Sequence, residues 1–402
     1  MRELSSRERL LRAINLEEPD RVPVSLYEVN TQFKNWRVLE PSYSELMRVA
    51  EDLQDTFVMI PIGDPNFTYF LRENKDKHEP FYIKGVGDLG VFFSSSNEAR
   101  KKVIRKREGN SVIYRENIET PKGTVTATFR VDDRVATTWQ VEPYIKSIED
   151  IEKILSIPYD PVKVDLEPLK DAQKKLGDKG IIVLSVGDPL GLVVPLFKYE
   201  RFLFFSLYKK EKVKELLDYF YERLLKLYRQ VSEQVTEVIF RFWGPEYITP
   251  PSMSPKYFDE MVVEYDYKLI DTVKCHGNYA CIHCHGRIRS VLEMIRSLRP
   301  DIIEPIEPPP YGDITLKELK RSVGDEICLM GYVEYEDIIS VTPSAIKGIV
   351  RKAIEEGAPG GGYIMIPSSM PIKTSITRRV NDNFIAFLRW GRKLGKYPFL
   401  KN

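Results

Sequence analysis

The sequence predicts an α/β chain that closes into a TIM (β/α)8 barrel, with an antiparallel β excursion in its N-terminal third. Three observations lead there. Short apolar strands alternate with amphipathic helices, the pattern of parallel βα units. From Arg21 onward about eight such units can be counted, which favours a closed barrel over an open sheet. Between them, residues 80–145 carry hairpin signals instead. The chain is 402 residues long and 43% hydrophobic. That suits a single barrel unit over 1–402 with a β-rich insertion at about 80–145.

Taken in order, Ser5 and Glu8 frame a capping box, and Leu10, Leu11 and Ile14 make one helical face. Pro19-Asp20 ends that helix, and 21–26 reads as a short buried strand. Ser42 with Glu45 signals a second capped helix to about Asp55, followed by a strand at Val58-Met59-Ile60. The excursion holds 103–107, the turn at Gly109-Asn110, 111–115, the turn Pro121-Lys122-Gly123 and 124–129.

Strand and helix then alternate. Strands are expected at 181–186, 237–243, 279–285, 302–307, 327–331 and 360–366. Helices are expected at about 210–233, 255–273, 288–298, 316–323, 344–356 and 379–394. No repeat shorter than about 50 residues is visible, which argues against a solenoid.

Lys+Arg 60 against Asp+Glu 59 gives a net charge of +1. This is no electrostatic footprint for nucleic acid. No apolar run reaches the roughly 18 residues of a membrane span, and no apolar core follows the N-terminus as in a signal peptide. Four cysteines are too few for a disulfide scaffold. The expectation is a cytoplasmic protein with reduced thiols, no membrane or nucleic-acid partner, and a homodimer as the oligomer to test.

The densest chemistry lies in Cys281-Ile282-His283-Cys284-His285-Gly286. On a strand, Cys281, His283 and His285 share one face, and their donors suit Zn²⁺; a small buried thiol and a histidine on a backbone carbonyl are the structural alternatives. Active residues of a barrel follow the C-terminal ends of its strands. Asp188, Glu246, His283, His285 and Glu307 all fall there and are the candidate catalytic and binding groups. Each also has a structural reading: Asp188 shapes a turn before Pro189, Glu246 starts a helix, and Glu307 is a solvated loop charge. The Gly360-Gly361-Gly362 run reads as a tight turn or, less specifically, as a phosphate approach.

Several motifs in order resemble the uroporphyrinogen decarboxylase-like superfamily. They are 7–14 with Pro19-Asp20-Arg21-Val22-Pro23-Val24, then His283-Cys284-His285-Gly286, then 301–309 with Gly312-Asp313-Ile314, and finally Gly361-Gly362-Tyr363-Ile364 with Asn383. The resemblance implies a TIM barrel. True decarboxylases of this kind grip substrate carboxylates with an Arg-Gln-Ala-Gly-Arg segment, whereas the equivalent stretch here, 27–32, has no arginine pair. The resemblance therefore implies the corrinoid methyltransferase and O-demethylase branch.

In that branch a His-x-Cys-Gly pattern and a later cysteine hold zinc. Here His285 takes the second position and Ser369 the later one, so Glu246 becomes the replacement ligand or acid. The expectation is a methyl transfer from a small methylated ether or amine to a corrinoid protein partner. Zn²⁺ would sit on His283, His285 and Glu246, and Glu246, Glu307 and Asp188 would be the catalytic carboxylates. The alternatives are a metal-free carboxy-lyase using Asp188, Glu246 or a histidine as acid, and a non-catalytic ligand-binding barrel.

Overall fold

The computed structural model describes residues 2–33, 37, 40–61, 96–135, 137–161, 164, 166–185 and 187–398. Seven parallel strands form one sheet in sequence order. They are β1 (Thr56–Pro61), β6 (Gly180–Ser185), β7 (Ile239–Trp243), β8 (Tyr279–His283), β9 (Ile302–Ile306), β10 (Cys328–Val333) and β11 (Tyr363–Pro367). Each neighbour pair is parallel. The sheet curls in the manner of a TIM-like barrel, and β6 and β8 to β11 are almost wholly buried, as expected of a parallel sheet covered on both faces.

Four antiparallel strands form a second sheet: β2 (Arg100–Glu108), β3 (Ser111–Thr120), β4 (Gly123–Asp132) and β5 (Thr138–Glu142). The expected excursion is therefore present from residue 100 to 142; its part from 80 to 95 lies outside the described residues. Its apolar content is greater than the sequence suggests. Val112, Tyr114, Ile118, Val125, Ala127, Phe129 and Val131 join the main hydrophobic core.

A second apolar cluster fills the inside of the curl: Ile181, Val183, Ile239, Cys281, Ile302, Cys328, Met330, Ile364 and Ile366. The helix Ser6–Ile14 packs Leu10, Ala13 and Ile14 onto this cluster from the N-terminal ends of the strands. Its capping box on Ser5 and Glu8 is formed as expected. The second box is not. Helix Ser44–Leu53 follows a 3-10 turn at Pro41–Tyr43, and the Ser42 hydroxyl instead accepts from the Ile376 amide at 3.0 Å. A distant backbone donor has won the hydroxyl from the local helix.

The buried segment 21–26 runs between the two sheet edges. The Met365 amide donates to the Pro23 carbonyl and the Ser25 amide to that of Met365, while the Asp55 amide donates to the Val24 carbonyl. Asp55, fully buried, ties this corner together. It accepts from Arg9 at 2.7 Å, Arg21 at 2.7 Å and the Val24 amide at 2.9 Å. Asp20 holds the other side of Arg9 at 2.6 Å.

Removing Asp55 would leave two buried guanidinium groups short of an anion. Breaking such a network from one side costs about 3–5 kcal/mol. Asp55→Ala is expected to lose stability on that order in urea unfolding, and an unchanged midpoint would refute the role assigned to this clasp.

Candidate active site

Side chains alternate across a strand, so the residues two beyond the apolar interior layer form the next layer up. From Val183, Ile239, Cys281 and Ile302 this rule reaches Ser185, Arg241, His283 and Glu304. The structure brings these four together. Arg241 and Glu304 form a buried ion pair at 2.5 Å. Arg241 also meets the Tyr27 hydroxyl, Ser185 Oγ at 3.5 Å and Glu28 at 3.3 Å. Its Nη2 lies 2.9 Å from His283 Nδ1 and 3.4 Å from Nε2.

Burial would push the Glu304 carboxyl up, but Arg241 and His283 outweigh it and hold the group at about 2. An ionised carboxylate only accepts hydrogen bonds. His283 Nδ1 lies 2.9 Å from Glu304 Oε1, which only accepts, and 2.9 Å from Arg241 Nη2, which only donates. Burial, and then the Arg241 charge, lower the pKa of His283. This imidazole is neutral.

His285 is its opposite. Its ring stands perpendicular to that of His283 with centroids 4.7 Å apart, and its side chain is 37% exposed. Nδ1 lies 2.9 Å from Glu307 Oε1, while Glu307 Oε2 accepts from the Gly286 amide at 2.6 Å. Burial opposes protonation of His285, but Glu307 prevails and raises its pKa. The Glu307 carboxyl is correspondingly lowered, His285 and the Gly286 amide overcoming burial. Two adjacent imidazoles are thus set apart, His283 shifted toward the neutral form and His285 toward the imidazolium.

Of the sequence-predicted residues, His283, His285 and Glu307 come together. Glu246 lies beside them, its charge raising both imidazoles, while its own Oε2 accepts from the Gly244 amide at 2.8 Å. Asp188 does not join the group. It is fully buried and caps helix Pro189–Val193 through the Gly191 amide, the turn-shaping reading of the sequence. Gly244 is required above it: with φ +140°, any Cβ would fall 1.9 Å from Asp188 Oδ1. The glycine run 360–362 is a left-handed turn entering β11 from the end opposite the site, against Glu17 and Glu18, so the phosphate reading is set aside. Cys281 is core.

The expected zinc set, His283, His285 and Glu246, is not drawn together as an ion site: among the described residues no group of three His, Cys, Asp or Glu side chains is placed to hold an ion. Ser369, standing at the expected cysteine, reaches only the Met370 carbonyl.

Sequence reading missed Arg241, Glu304, Tyr27 and Glu28 as a unit. The available signal was a charged residue within the apolar stretch 237–243, which a strand buried on both faces tolerates only when paired.

With fold and site described, the class of protein is defined by comparison. The family profile described as Uroporphyrinogen decarboxylase (URO-D) matches residues 130–377, more than half the chain. The chain belongs to that family. No curated protein matches it. Among solved structures it is similar to a methyltransferase from Methanosarcina mazei, with 15% identity and a TM-score of 0.57 over 97% of this chain and 99% of that one. A D-psicose 3-epimerase from Clostridium cellulolyticum H10 also matches, at 12% identity and TM-score 0.33 over 62% of this chain and 94% of that one. No helix of the described residues is long and apolar enough to cross a membrane.

Behind the site, Asp188 and Asp266 are both fully buried. Among the described residues Asp188 Oδ2 and both Asp266 carboxyl oxygens lack hydrogen-bond partners. Burial raises the pKa of both, and the Asp266 charge raises that of Asp188 further, so both carboxyls are shifted toward the protonated form. A raised folded pKa contributes stability that is fully present below the ordinary aspartate value of about 3.9 and is lost as pH rises through the raised one. Asp266→Asn, which cannot ionise, is expected to melt above wild type at alkaline pH, with the gap closing toward acid. A gap that does not vary with pH would contradict the raised pKa.

Proposed function

We propose that the protein is a methyltransferase that moves a methyl group from a small methylated ether or amine to a corrinoid carried by a partner protein. The observation that carries this reading is the pair of adjacent histidines at the strand ends, His283 against Glu304 and Arg241 and His285 against Glu307, with pKa values shifted in opposite directions. As the bond from methyl carbon to oxygen or nitrogen breaks, its electron pair stays on the leaving atom. That atom takes the proton from His285 Nε2, and Glu307 stabilises the imidazolium beforehand and orients its ring. The reduced corrinoid supplies the nucleophile that accepts the methyl group. Arg241, Tyr27 and Glu304 fix His283 as a neutral acceptor beside the substrate. No metal is needed for any of these roles.

The same reading takes 1–402 as one (β/α)8 unit, with 21–26 as the eighth stave and β2 to β5 as an insertion. Membership in the URO-D family and the likeness in fold to a methyltransferase support it. Acid-assisted decarboxylation is the second reading and is less well supported: the buried Arg241 is already matched by Glu304 and Glu28 and has no charge to spare for a substrate carboxylate.

The test is methyl transfer to cob(I)alamin, followed spectroscopically across ethers and amines. General acid catalysis is worth about 10²–10⁴-fold, and His285→Asn is expected to lose that much in kcat. Activity requires the imidazolium, so it falls as pH rises through the raised His285 pKa. Glu307→Gln removes the group that raises it and is expected to move this alkaline limb to lower pH. Transfer by His285→Asn at the wild-type rate, or an unmoved limb in Glu307→Gln, would sink the assignment.

A further inference from the structure

Glu334 follows β10 as Glu307 follows β9 and Ser368 follows β11, so three neighbouring strand ends each place a polar side chain at the same end of the sheet. The Glu307 oxygens are both taken, by His285 and the Gly286 amide. The Glu334 oxygens are not. Oε1 accepts from Ser368 Oγ at 3.0 Å and from the Glu336 amide at 3.4 Å. Among the described residues Oε2 has no hydrogen-bond partner, and the residue is only 5% exposed. A buried carboxylate oxygen left unsatisfied is unfavourable, and native structures satisfy almost all such atoms. Either a proton or a ligand donor belongs there.

We infer that Glu334 is a substrate-binding residue whose Oε2 receives a hydrogen-bond donor, an ammonium or a hydroxyl, carried by the methyl donor. The inference rests on the proposed function for the identity of that compound. The balance of charge agrees with it. Among the described residues around the site, the five carboxyl groups of Glu28, Glu246, Glu304, Glu307 and Glu334 outnumber the guanidiniums of Arg241 and of Arg37, which acts on Glu28, even with His285 shifted toward the imidazolium. Such a site favours a cationic or neutral donor group and disfavours a carboxylate. Burial, and less strongly the charge of Glu307, raise the pKa of Glu334, so a cation bound there relieves an existing penalty. The pairing with Ser368 fixes one oxygen and thereby aims the other.

The probes are 2-methoxyethylammonium, 2-methoxyethanol and methoxyacetate, which share the methoxy group and differ in its neighbour. Their binding to the full chain is measured by calorimetry without any methyl acceptor, so a failure of methyl transfer leaves the result readable. The expected order places the ammonium or the alcohol at least about tenfold tighter than methoxyacetate, and which of the two leads identifies the donor. Glu334→Gln keeps an acceptor for Ser368 and is expected to collapse that preference about tenfold. Ser368→Ala keeps the carboxylate and is expected to retain the preference. If either variant loses its native circular dichroism, the wild-type order decides alone. Methoxyacetate binding as tightly as the others, a preference unchanged in folded Glu334→Gln, or no binding of any probe would overturn the inference.

Discussion

The pairing of Arg241 with Glu304 is the constraint from which the site follows. A guanidinium inside a parallel sheet requires an anion, and Glu304 on β9, across the strand that carries His283, supplies it. Glu304 and Arg241 together hold the His283 ring, and burial, with the Arg241 charge, lowers its pKa. Tyr27 and Glu28 are drawn in from the segment that links the sheet edges. The position of one cation therefore bears on a protonation state and on the placement of a loop.

The interior is layered. The lowest layer is apolar and meets the N-terminal helix. The next is the Arg241 network, almost fully removed from water. Above it stand His285 and Glu307, with partial access to solvent, and the buried Glu334. Each layer is one pleat of the same strands, and polarity rises with height. Electrostatic effects are strongest in the middle layer, where the effective dielectric is low, and this is where the group that must stay uncharged is held.

Much of the fold was legible because it is written locally. Apolar strands and amphipathic helices announce themselves over a few residues, and the Ser5–Glu8 box needs nothing beyond its own helix. The failure at Ser42 has the opposite cause, a competing donor more than three hundred residues away. The site divides the same way. His283, His285 and Glu307 stood out by residue type and by their place after strands. Arg241 and Glu304 required the register, since only the pairing of Arg241 with Cys281 and of His283 with Glu304 shows that all three polar side chains share the inner face. The zinc expectation came from ligand types at a plausible spacing. Spacing along one strand does not set the distance to a third ligand, and among the described residues no third one joins the two histidines.

The helix Ser6–Ile14 has a kinetic consequence. Among the described residues it covers the end of the apolar interior opposite the site. Under the proposed reaction a small donor and a bulky protein-borne acceptor would both approach from where the strands end. The acceptor, once docked, would block the donor's way in. That reaction would then carry a compulsory order of addition, small molecule first, with the demethylated product held until the larger partner departs.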